Sequence, residues 1–99
     1  MNLVLENINT IRQLCIEHKV SKLYAFGSVL TNKFSNESDI DLIVDFENVD
    51  LNSYADNYFD FKFSLEDTFN RKVDLLENKA IKNPFLKKVI DSSKQLIYG

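Results

Sequence analysis

The sequence predicts an α/β (α+β) domain in which a small mixed sheet is flanked by helices. Apolar positions alternate between helical and every-second-residue spacing in the order helix, strand, short helix, strand, helix, strand, helix. Gly and Pro are scarce, at two and one, so little chain is left for loops. With 44% hydrophobic residues, 99 residues suit one domain spanning 1–99 with a modest core and no disulfide staples.

Val4, Ile8, Ile11 and Cys15 recur at helical spacing and predict an opening helix over about residues 2–18. Cys15 is then a core filler. His18 lies near the helix end, where the dipole or solvent accounts for it without a catalytic role. Residues 21–26 read as a strand that turns at Gly27, and Ser28 is placed to cap a short helical turn running to about Lys33. Residues 38–46 read as a second strand. Between residues 51 and 70, Tyr54, Tyr58, Phe61, Leu65 and Phe69 form one helical stripe. Phe59 and Phe63 fall on the opposite side, either beneath another element or as an exposed patch for a partner. Residues 72–76 read as a third strand. Asn83-Pro84 is a cap followed by a first-turn proline, starting a closing helix whose apolar side is Phe85, Val89, Ile90, Leu96 and Ile97.

The second strand carries acid where its β-branched neighbours call for a core. Ile40, Leu42, Val44 and Phe46 can face inward while Asp39 and Asp41 share the other side. Two residues along a strand cover about 6.5–7 Å, so the two carboxylates can converge on divalent cations about 3.5–4 Å apart. An Asp-x-Asp pair alone is often a solvated strand end, and Gly-Ser alone is often an ordinary turn. Together they are complementary: the bare backbone of Gly27 with the Ser28 hydroxyl suits phosphate, and the acids suit metal. A nucleoside triphosphate offers both. Asp45 shares the parity of Asp41 but lies too far along the strand to join the pair, and Glu37, Glu47 and Glu77 read as surface charges.

Gly27-Ser28, ten residues and then Asp39-Ile40-Asp41 resemble the signature of the DNA polymerase β-like nucleotidyltransferases, and a lone domain of this size resembles their minimal, MNT-type branch. The resemblance runs from about residue 23 to 76. It implies the polymerase β-like fold and places the family's third carboxylate on a later strand, where Lys72-Val73-Asp74-Leu75-Leu76-Glu77 offers Asp74. It further implies that Asp39, Asp41 and Asp74 are the catalytic and metal-binding residues for two Mg²⁺ ions, with Gly27 and Ser28 binding the nucleotide, ATP. One departure is that many relatives carry a small residue and Arg soon after Gly-Ser. This chain has Val29-Leu30-Thr31-Asn32-Lys33, so that Lys33 stands in for the cation.

Minimal relatives commonly accompany a helical HEPN partner as antitoxin to toxin, and some transfer AMP to a tyrosine of that partner. The resemblance implies that role here. Two other classes stay open: a non-catalytic binding module that neutralises its partner by occlusion, and a small-molecule nucleotidyltransferase. Charge disfavours nucleic acid, since 12 cations against 15 acids give −3 with no Lys or Arg run to hold a polyanion. A single cysteine, no apolar run of membrane-spanning length and no basic-then-apolar leader make a cytoplasmic protein the expectation.

Overall fold

The computed structural model describes residues 2–31 and 38–99. Its four-stranded sheet runs in the order β3-β2-β1-β4, with β1 at Val20–Phe26, β2 at Ile40–Phe46, β3 at Val73–Glu77 and β4 at Gln95–Tyr98. β1 pairs antiparallel with both β2 and β4, whereas β2 and β3 are parallel, so the sheet is mixed as expected. The helices are α1 (Asn2–Glu6), α2 (Ile8–Glu17), α3 (Tyr54–Phe69) and α4 (Pro84–Ser93).

Alternation along β1 and β2 sends Leu23, Ala25, Ile40, Leu42 and Val44 into one core. There they join Val4, Ile11 and Cys15 from the opening helices, Phe61, Leu65 and Phe69 from α3, and Val73 and Leu75 from β3. Burial pushes the Cys15 thiol up to about 12, in keeping with a packing role. β2 is buried on its second face too, where Ile43 is inaccessible, and Ile90 is the one buried residue of α4.

The opening helix is broken where the spacing predicted one continuous helix. Asn7 leaves helical geometry and its side-chain amide donates to the Leu3 carbonyl at 2.8 Å, an alternative partner that competes with the helical ladder. His18 is neither solvated nor served by the dipole alone. It is 6% exposed, with Nδ1 2.7 Å from the Leu14 carbonyl and Nε2 2.7 Å from an Asp60 carboxylate oxygen. Through these two contacts the ring ties the end of α2 to α3.

The closing segment also differs from expectation. α4 ends at Ser93, Lys94 is extended, and Leu96 and Ile97 lie in β4, paired to β1 through Tyr24↔Leu96 and Ala25↔Gln95. The three-residue apolar run Leu96-Ile97-Tyr98 satisfies either helix or strand spacing, and pairing along β1 decides. Phe85 and Val89, on the apolar side expected of this helix, are 83% and 54% exposed. The predicted start of α4 is present: the Asn83 side chain accepts from the backbone of Phe85 at 2.9 Å and Leu86 at 3.3 Å. Because α4 buries only Ile90, this cap matters locally. Asn83→Ala is expected to cost about 1 kcal/mol and to speed hydrogen exchange of the α4 amides about fivefold, leaving β2 amides unchanged.

α3 also covers the outer edge of β3. The Val73 amide donates to the Glu66 carboxylate at 2.9 Å, and the Tyr58 hydroxyl donates to the Leu75 carbonyl. On the opposite side of α3, Phe59 and Phe63 are 48% and 55% exposed, their rings stacked at 5.9 Å, so the patch is open rather than covered.

Candidate active site

Strand pairing brings the acids together. Asp41 is the direct register partner of Phe26 at the end of β1 and of Asp74 on β3. Adjacent strands lie about 4.8 Å apart, so the Asp41 and Asp74 backbones are nearest neighbours on the face opposite the core. Asp39 precedes β2 and is exposed. The Asp41 carboxyl is held above the ordinary range, chiefly by burial, then by the charge of Asp74 and that of Asp39. Asp41 therefore senses the charge of both other acids.

Gly27 closes the site from β1. Its φ of +76° is left-handed, and a Cβ there would stand 2.6 Å from Asp41 Oδ2. Only a residue without a side chain lets the backbone lie against the carboxylate in this way. The turn that follows spans Gly27–Leu30 and differs from expectation: extended Phe26 occupies the cap position, no side chain caps it, and Ser28 lies inside it, half-buried. Here the positive φ of Gly27 opens the turn one residue early. Its carbonyl at Ser28 accepts both the Thr31 amide at 2.9 Å and the Thr31 hydroxyl at 3.0 Å. Lys33 and Glu37 lie outside the described residues.

The remaining acids have other work. Asp45 accepts from the Asn78 amide at 3.2 Å. Glu77 is not a free surface charge: it accepts the Tyr54 hydroxyl, and burial followed by this carboxylate pushes that phenol up to about 12. Sequence reasoning also missed Arg71, whose guanidinium donates to the Ser38 carbonyl at 3.4 Å and so braces the backbone beside Asp39. Its place just before the third strand was the available signal.

Asp39, Asp41 and Asp74 are a hard-oxygen donor set of the kind Mg²⁺ takes. As the side chains stand, no three His, Cys, Asp or Glu among the described residues form a group that could hold a metal ion. The fit is thus one of chemistry and backbone placement, with convergence left to rotation about the side-chain bonds.

A family model described as polymerase beta, nucleotidyltransferase matches residues 9–99. The chain belongs to that family. A candidate protein adenylyltransferase of Methanocaldococcus jannaschii is 37% identical over 82 residues, covering 83% of this chain and 79% of the relative. Among solved structures, a toxin–antitoxin complex with AMP-PNP superposes with a TM-score of 0.72 at 22% identity, covering 94% of this chain and 73% of the other. A complex of tri-AMPylated Shewanella oneidensis HEPN toxin with MNT antitoxin gives 0.65 at 21% identity, covering 96% and 71%. At these identities the structural likeness establishes the polymerase β-like fold, a four-stranded mixed sheet with helices, and the sequence match establishes the nucleotidyltransferase family.

Proposed function

We propose that this chain, acting as a single domain over residues 1–99 in the cytoplasm, is an antitoxin that transfers AMP from ATP to a tyrosine hydroxyl of a helical HEPN-type partner. The observation that carries this reading is the Asp41–Asp74 register pair lying against the bare backbone of Gly27. The adenylyltransferase relative and the complex holding an AMPylated toxin support the choice of AMP and of a protein acceptor. Asp39 and Asp41 would hold two Mg²⁺ ions, with Asp74 sharing one. Bound there, the ions supply charge neutralisation for the triphosphate and the departing pyrophosphate. Gly27 and the Ser28 hydroxyl cradle the β- and γ-phosphates. Asp74, exposed beside Asp41, accepts the proton as the tyrosine oxygen attacks the α-phosphorus and the bond to pyrophosphate breaks.

Mass spectrometry of a HEPN-fold protein from the same organism, incubated with ATP, MgCl₂ and a trace of this chain, tests the reading. The expected result is an AMP-sized mass increase on tyrosine in an excess of acceptor, lost with EDTA. The exposed Phe59–Phe63 pair supports a second reading, neutralisation by occlusion. That reading requires one-to-one mixing, an unchanged partner mass and indifference to Asp41→Asn.

A further inference from the structure

Helix α4 is amphipathic yet leaves most of its apolar face in water. Phe85, Leu86 and Val89 are all exposed, as is Leu96 on the strand that follows, and Ile90 alone is buried. A contiguous apolar surface of this kind normally marks a contact.

Its charge differs from that of the rest of the chain. Residues 79–99 hold five lysines against one acid, Asp91, whereas residues 1–78 hold seven cations against fourteen acids. Lys82 and Lys88 stand exposed beside the apolar side chains, while Lys87 and Lys94 pair with Asp91 at 3.8 and 2.9 Å.

Its position relates it to the acids. The Lys94 ammonium lies 4.2 Å from the centroid of the Tyr24 ring. Tyr24 is the cross-strand partner of Ile43, so its ring shares the sheet face that carries Asp41 and Asp74, away from the core. The end of α4 therefore sits on the face where the chemistry is proposed.

We propose that α4 is the docking platform for the protein acceptor, which meets it with an apolar patch rimmed by acidic residues. This deepens the proposed AMP transfer and rests on it. Apolar burial against Phe85 and Val89 supplies affinity, and the lysines select an acidic rim and speed encounter. A protein held there presents its hydroxyl beside Asp41 and Asp74.

The test compares the wild-type chain with a Phe85→Ser/Val89→Ser variant and a Lys82→Glu/Lys88→Glu variant. All four side chains are exposed, and thermal melts followed by circular dichroism verify folding. Calorimetry measures binding to the HEPN-fold acceptor, steady-state assays measure transfer against acceptor concentration, and a fluorescent ATP analogue with Mg²⁺ measures nucleotide affinity. The expected outcome for both variants is a KM for acceptor raised about tenfold or more, with kcat and nucleotide affinity unchanged. Unchanged acceptor binding and KM would overturn the proposal. So would a parallel loss of nucleotide affinity, which makes α4 a nucleotide contact. Loss of self-association of the chain in sedimentation, with acceptor affinity intact, would likewise overturn it in favour of a contact between copies. If the wild type binds acceptor but transfers no AMP, the transfer reading fails while the binding difference still judges the platform.

Discussion

Asp41→Asn is expected to abolish Mg²⁺-dependent nucleotidyl transfer while raising the melting temperature at neutral pH. Loss of one carboxylate from the proposed metal set removes several kcal/mol of transition-state stabilisation, or about a thousandfold at tenfold per 1.4 kcal/mol. Stability moves the other way. The folded-state pKa of Asp41 is raised above the ordinary 3.8 by burial and by Asp74 and Asp39, so its ionised form costs the folded state stability. That cost is full above the raised pKa, shrinks as pH falls through it, and is gone below 3.8. The thermal advantage of the Asn variant should therefore be present at pH 7 and disappear in acid. Differential scanning fluorimetry across that range, beside an AMP-transfer assay, reads both halves; retained transfer or a lower melting temperature at pH 7 contradicts the assignment.

The second large effect is expected at Gly27. An alanine there must adopt a φ of +76°, which costs about 1–2 kcal/mol, and its Cβ would meet Asp41 Oδ2 at 2.6 Å. The carboxylate can swing away, so the fold survives with a melting temperature lower by about 4–8 °C per kcal/mol. The position of Asp41 does not survive. Displacing a catalytic group by about 1 Å costs on the order of a hundredfold in rate, and Gly27→Ala should lose at least that much transfer. Wild-type activity in a variant with an intact melt would show that the contact between Gly27 and Asp41 has no part in catalysis.

The central strand was legible because Asp41 breaks an otherwise apolar pattern, and every expected inward residue from Ile40 to Phe46 is buried. Gly27 was legible for the same kind of reason: a glycine in a chain with two must be there for its backbone. What escaped depended on contacts distant in sequence. The Asp60 that makes His18 structural is 42 residues away, and the Tyr54 that occupies Glu77 is 23 away. Leu96 and Ile97 continue the helical spacing of α4, and only the neighbouring β1 makes them a strand. The exposure of Phe85 had no local signal, since an amphipathic stripe is written identically whether a partner or the chain itself covers it.

The bonds from α3 to the outer edge of β3 bear on how the sheet behaves at high concentration. With the Val73 amide engaged by Glu66 and the Leu75 carbonyl by Tyr58, that margin offers few backbone groups to an incoming strand. The other margin is β4, only four residues long. Runaway strand addition, the usual hazard of a small open sheet, finds one border occupied and the other too short to template a second molecule.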